Sequence, residues 1–314
     1  MKDFRNWGLK VRENKEKNYK ALWFNLKTIR VGEGKCEELP IDEKEFYDVA
    51  INTACNAGCD FCYVAAGKLG VNYPNICETW KKWMSNHIDF IDEFAIYTNK
   101  PFQIAIGSTG EPTLHPEFCK FLETVSNTGV VPNYTTNGII LSAWDNVELP
   151  EYGLANKILN YTSAYVGGVA VSFGNKHIRN KARKAIEGLI AKGNTNINIH
   201  HLISTKESVD EFVSEYLRYG DDIAYHVLLP LMPAGRSNKG IEEGVFEYLE
   251  NVINENKMHK IAFGAHFINN LRTSNIKTWL YDEHSLSANC LLKPNNIVLT
   301  KSSFDLTPIK TIEL

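Results

Sequence analysis

Cys55, Cys59 and Cys62 fall within the run Cys55-Asn56-Ala57-Gly58-Cys59-Asp60-Phe61-Cys62. Thiolates are soft ligands, suited to zinc and iron-sulfur clusters. Steps of four and three residues let three thiolates wrap one face of a [4Fe-4S] cube, leaving the fourth iron without a protein ligand. That iron is where chemistry can occur. Zinc is the competing reading, with Cys77 as a fourth ligand. Structural zinc sites, however, use separated cysteine pairs or cysteine-histidine mixtures, and this sequence has no second close pair.

The chain must position that loop. Its 314 residues suffice for one large α/β domain or two smaller ones, and 44% hydrophobic residues exclude disorder as the dominant state. From residue 46 onward, β-rich apolar runs alternate with helical patterns, as in repeated βα units with a parallel sheet. Strands are expected at 46–53, 102–106, 131–136, 165–173, 196–203 and 224–231. Helix faces are marked by Phe118, Phe121, Leu122 and Val125, and by Ala182, Ala185, Ile186, Leu189 and Ile190. A further helix carries Val209, Phe212, Val213, Tyr216 and Leu217, with a capping box read at Ser208 and Glu211 and an end at Gly220. Residues 20–32 read as a hairpin with Asn25 near its turn. A helix around 242–256 and a seventh strand at 261–267 follow the array. The tail from Cys290 reads as a hairpin turning at Lys301 to Ser303.

Seven cysteines, three of them clustered, fit metal ligation in a reducing compartment better than a disulfide framework. Cys36, Cys77, Cys119 and Cys290 are left over, and Cys119, beside Phe118, is expected to be a buried inert thiol. A net charge of -3 gives no reason to expect a nucleic-acid partner. Nine basic residues (Lys2, Arg5, Lys10, Arg12, Lys15, Lys17, Lys20, Lys27 and Arg30) lie in the first 30 against three acids, and a solvated surface is the plain reading of this arm. No bilayer-length apolar run and no signal-peptide core are present, so a cytoplasmic protein without membrane contact is expected. His200 and His201, adjacent on a strand, point to opposite faces and cannot readily share one ion. Arg179 and Arg183 are expected to face solvent.

With Phe61 just before the third cysteine, the run resembles the Cys-x3-Cys-x2-Cys motif of the radical S-adenosylmethionine (radical SAM) superfamily. The likeness continues in order through Gly110-Glu111-Pro112, Thr136-Asn137-Gly138 and Ser172, and covers about residues 46–236. It implies a partial (β/α)6 TIM-like barrel over residues 46–240. The N-terminal accessory hairpin and arm would occupy 1–45, and a helix, strand and small β extension 241–314. It further implies that Cys55, Cys59 and Cys62 hold a [4Fe-4S] cluster whose fourth iron chelates S-adenosyl-L-methionine. Phe61 and the Tyr63 backbone would lie near the adenine. Gly110, Glu111 and Pro112 would approach the methionine amino group, glycine allowing close approach of backbone to ligand. Thr136 and Asn137 would line the ribose side, and Ser172 would bond ribose or carboxylate. Thr109 departs from the family's paired glycines.

In this family one electron cleaves the sulfonium to methionine and a 5′-deoxyadenosyl radical, which takes hydrogen from a substrate. The resemblance therefore implies an electron donor such as a flavodoxin or ferredoxin. Pro233-Ala234-Gly235-Arg236 is similar to an element of members with a cysteine-rich C-terminal extension, many of which modify peptides. Cys290 alone cannot support a second cluster, so the tail reads as a cluster-free version of that extension. A peptide or protein substrate is slightly favoured over a small metabolite. The rival readings are a zinc-stabilised binding protein and a cluster-containing homologue without catalysis.

Overall fold

The computed structural model describes residues 8–33, 39–264, 267, 287–303 and 305–314. Lys2, Arg5, Cys36, and residues 265 and 266 of the expected seventh strand lie outside the described residues.

The first elements are β1 (Lys10–Asn14), β2 (Tyr19–Phe24) and β3 (Lys27–Gly32), followed by β4 (Phe46–Ala50) and helix α1 (Ile76–Ser85). Next come β5 (Asp89–Ile91), β6 (Ile96–Thr98), β7 (Gln103–Ile106), α2 (Phe118–Asn127), β8 (Val131–Thr136), α3 (Tyr152–Tyr165) and β9 (Val169–Ser172). The array continues with α4 (Arg179–Ala191), β10 (Ile197–Ile203), α5 (Lys206–Tyr219), β11 (Tyr225–Pro230), α6 (Val245–Glu255) and β12 (Ile261–Phe263). It closes with β13 (Ser287–Lys293), β14 (Asn296–Thr300) and β15 (Pro308–Glu313).

All six expected strands of the array exist and lie side by side, parallel, in the order β11-β10-β9-β8-β7-β4, with β12 added outside β11. β9 is shorter than the expected 165–173: residue 165 still ends α3, because Val166 to Gly168 are needed to turn the chain back into the sheet. Inner faces are apolar, and β10 alternates fully buried with half-buried positions along its length. α2 buries Phe118, Phe121, Leu122 and Val125, and α4 buries Ala182, Ala185, Ile186 and Leu189, as the spacing predicts. Cys119 is buried, as expected. In α5, Leu217 is exposed, so the stripe is Val209, Phe212, Val213 and Tyr216, packed on α6. Its capping box is Thr205 with Ser208, not Ser208 with Glu211: Thr205 Oγ1 accepts from Ser208 N at 3.2 Å, and Ser208 Oγ accepts from Thr205 N at 3.1 Å. Glu211 is instead paired with Arg179 at 2.7 Å.

The hairpin at 20–32 is present as β2 and β3, turning through Asn25 and Leu26, both at positive φ. It belongs to a separate five-stranded sheet, β3-β2-β1-β6-β5. Two residues of the basic arm are not solvated. Lys10 and Arg12 are buried, Lys10 Nζ donating to the Gly129 carbonyl and the Arg12 guanidinium to the carbonyls of Glu43 and Lys100. They fasten this sheet to the main body. The tail turns earlier than expected. β13 and β14 meet through Pro294 and Asn295, the latter at φ 60°, while Lys301 to Ser303 begin the longer connection to β15. β13 pairs parallel with β4, so the tail extends the main sheet on the far side of the strand that leads to the cysteines.

Candidate functional site

Cys55, Cys59 and Cys62 lie on the loop after β4, at the C-terminal end of the parallel strands, each partly exposed. Burial pushes the Cys55 and Cys59 thiols up from their ordinary value, each also raised by a neighbouring thiol: Cys59 for Cys55, Cys62 for Cys59. Side-chain amides act the other way. Asn137 Nδ2 donates to Cys55 Sγ at 3.8 Å and Asn175 Nδ2 to Cys59 Sγ at 3.3 Å. Among the described residues, no three His, Cys, Asp or Glu side chains are grouped to hold one metal ion. Three thiolates capping different corners of a cube stand farther apart than three on one ion, and the donors present are of the type such a cluster takes.

The loop is held from three directions. From the β11 side, Arg236 donates to the Cys59 carbonyl at 2.8 Å and to those of Ala65 and Ala66, while its backbone N–H reaches Cys62 O at 3.0 Å. Gly235, at φ 63°, sits against the carbonyls of Cys62 and Tyr63, where any Cβ would collide. From the β9 side, Gly174 receives the Phe61 ring, whose edge would stand 3.0 Å from a Cβ there. From the β7 side, Tyr63 donates to the Ser108 carbonyl at 3.1 Å and also bonds Ser303 of the tail.

The residues expected near the cofactor are brought together, with a different division of labour. Gly110 is required by the protein itself: a Cβ would meet Asn52 Oδ1 at 2.6 Å and the Ala54 carbonyl at 2.8 Å. Thr109, in place of a second glycine, is accommodated because its hydroxyl donates to Asn52 O at 2.7 Å. The Glu111 side chain is buried and faces inward. Its Oε1 accepts from Thr113 N, Thr113 Oγ1 and Thr136 Oγ1 at 3.2, 2.6 and 2.8 Å, and its Oε2 accepts from Asn137 N at 2.7 Å. Glu111 therefore ties the end of β7 to the end of β8. Burial raises its pKa above the ordinary glutamate value, against these same donors. Pro112 opens the following short 3-10 turn and is buried. Ser172 ends β9 beside His200, with partial exposure.

His201 does not pair with His200. Its Nε2 lies 2.8 Å from Nδ1 of His226 on β11, in a nest with Phe173, Phe212 and Tyr216. Burial lowers the pKa of both rings, keeping the pair neutral. Arg179 and Arg183 are ion-paired to Glu211 and Glu215 on the next helix, rather than free in solvent. A cavity of about 780 Å³ opens beside the loop, lined by Phe61, Asn175, Lys176, His201, Arg236 and Lys239 among others. Asn175 is unmarked in the sequence, and Arg236 stands out there only as the end of Pro233-Ala234-Gly235-Arg236. Their partners are far away in the chain, so spacing could not have found them.

No protein-family model matches the chain, and no curated protein matches its sequence. Among solved structures, Streptococcus suis SuiB bound to S-adenosylmethionine aligns with TM-score 0.60 and 10% identity, covering 92% of this chain and 80% of that one. SuiB bound to precursor peptide SuiA aligns with TM-score 0.55 and 13% identity over 82% of this chain and 59% of that one. The chain shares its fold with SuiB. The radical SAM resemblance read from the cysteine motif is thus matched by a fold in common with a protein solved with S-adenosylmethionine. This chain spans a little over half of the SuiB chain solved with its precursor peptide. At such identity the likeness to SuiB concerns architecture alone.

Proposed function

We propose that this chain is a radical SAM enzyme that holds a [4Fe-4S] cluster on Cys55, Cys59 and Cys62 and binds S-adenosyl-L-methionine beside it. The observation that carries the reading is the loop itself: three part-exposed thiols at the C-terminal end of β4, two bonded by amides, beside a large cavity. When bound, the cluster supplies the electron that reductively cleaves S-adenosylmethionine to a hydrogen-abstracting 5′-deoxyadenosyl radical. The protein's part is placement. Arg236 and Gly235 fix the loop backbone, Glu111 fixes Thr136 and Asn137, and Phe61 is seated by Gly174. Phe61, Tyr63, Gly110, Glu111, Pro112, Thr136, Asn137 and Ser172 form the cofactor's side of the mouth, Glu111 acting through Asn137.

The parallel strands from β4 to β11 are read as a partial (β/α)6 barrel, with 1–45 as accessory unit and 241–314 as a covering extension. Its strand ends then converge on one mouth. The cavity is within the size range of small-molecule and peptide-segment sites, and the precursor peptide on SuiB favours a peptide substrate over a metabolite. A flavodoxin or ferredoxin would supply electrons. Among the described residues no helix is long and apolar enough to cross a membrane, and a cytoplasmic setting suits free thiols.

Anaerobic reconstitution followed by chromatography for 5′-deoxyadenosine tests this. Wild type, reduced with dithionite in the presence of S-adenosylmethionine, is expected to form 5′-deoxyadenosine, and Cys59→Ala to form none. Equal product from both would sink the site assignment. A colourless protein containing stoichiometric zinc would favour the binding-protein reading instead.

A further inference from the structure

Asn137 and Asn175 follow adjacent parallel strands, β8 and β9, and make the same three bonds. Asn137 Oδ1 accepts from Ile139 N at 2.9 Å, and Asn175 Oδ1 accepts from His177 N at 3.0 Å, each two residues on. This turn fixes which end of the amide is which, since a backbone N–H must face oxygen and not nitrogen. Each Nδ2 is thereby aimed at the cysteine loop. One acceptor is a loop oxygen, Asn56 Oδ1 at 2.9 Å for Asn137 and the Ala57 carbonyl at 3.1 Å for Asn175. The other is sulfur, on Cys55 and Cys59 respectively. Two hydrogens meet two acceptors in both cases. Among the described residues no side chain donates to Cys62 Sγ, so the three thiols are not equivalent.

Resting on the cluster reading, we propose that Asn137 and Asn175 are paired positioning residues that raise the reduction potential of the cysteine-bound cluster by donating N–H to two of its thiolate ligands. Reduction adds one electron and no proton, and the added negative charge is spread partly onto sulfur. A donor already aimed there stabilises the reduced state more than the oxidised one. Neutral amides do this without a cation that would compete for the thiolates or for a carboxylate of the ligand. Asn175, the closer donor, has the larger effect. It also ties the β9–α4 connection, one wall of the cavity, to the cysteine loop.

The test uses the full-length chain, reconstituted anaerobically and assayed for iron and sulfide before titration with dithionite, followed by electron paramagnetic resonance. Asn175→Asp retains the turn, because a carboxylate oxygen can accept from His177 N, but sets negative charge against Cys59 sulfur. Asn175→Ala removes the donor. Both are expected to load iron, with midpoint potentials ordered wild type above Ala above Asp. For Asn175→Ala the reduction equilibrium should weaken about tenfold, ~59 mV for one electron, and Asn137→Ala should move it less. A loaded Asn175→Asp protein with the wild-type midpoint would overturn the inference, including where the alanine variant fails to load. A wild-type protein that takes up no cluster overturns the function reading and this inference together, whereas a loaded wild type with an unmoved variant overturns only the latter.

Discussion

Two buried glutamates are kept in place by opposite means. Glu111, 3% exposed between the ends of β7 and β8, is met by two backbone N–H groups and two threonine hydroxyls, all neutral. Glu215, 2% exposed on α5, is met by the guanidinium of Arg183 and, at 3.5 Å, by that of Arg218. A carboxylate paired with cations can be removed together with its partner, as buried ion pairs often can without loss of stability. A carboxylate held by backbone donors cannot, since the donors stay behind. The molecule therefore uses exchangeable ion pairs between its outer helices and a fixed, neutral lattice at the strand ends beside the cysteine loop.

Removing each carboxylate breaks the comparison most directly. Glu111→Ala orphans two buried N–H groups and two hydroxyls; at about 1–3 kcal/mol for each buried unsatisfied group, partly relieved by water, the loss should reach ~3 kcal/mol or more in urea unfolding. It should also release Asn137 and lower iron loading. Arg183→Met leaves Glu215 with only its more distant arginine and should cost about 2 kcal/mol, discounted because the Arg183 side chain is partly in water. Adding Glu215→Leu to that variant should recover most of the loss, and a double variant no more stable than the single one would erase the distinction. Gly235→Ala should cost about 1–2 kcal/mol overall, because φ 63° and the Cys62 and Tyr63 carbonyls exclude a Cβ. Its larger effect is local, a drop in iron bound per chain.

The smallest effect is on pH dependence. Because the Glu111 pKa is raised in the folded state, its contribution to stability is whole below the ordinary glutamate range and is lost as pH climbs through the raised value. Glu111→Gln should flatten that part of the stability curve, measured by thermal unfolding between pH 4 and the neutral range.

Which parts were legible follows the same division. Strand β8, expected at 131–136, has those bounds, and the α2 and α4 faces were readable because periodicity is a local signal. The helix α1, with Ile76, Trp80, Trp83 and Met84 on its inner side, carries the same signal but was hidden among glycine- and asparagine-rich neighbours. The tail turn was misplaced because Pro294-Asn295 interrupts an apolar run, whereas Lys301 to Ser303 look more polar. Cys55, Cys59 and Cys62 announce themselves by spacing. Asn175 and Arg236 do not, since each meets the cysteine loop only through the fold, and Lys10 and Arg12 read as surface in the sequence because the carbonyls of Gly129, Glu43 and Lys100 meet them only once β1 packs on the main body.

β4 acquires its second neighbour only when β13, at the other end of the chain, pairs with it. On the ribosome, the strand that leads to the cysteine loop can bond to β7 early but presents an open edge until the closing meander has been translated. An unpaired, apolar edge is a template for intermolecular pairing. Shortening the gene upstream of β13 should thus yield inclusion bodies rather than a smaller working protein, and slow translation of the last segment should lengthen the interval of risk.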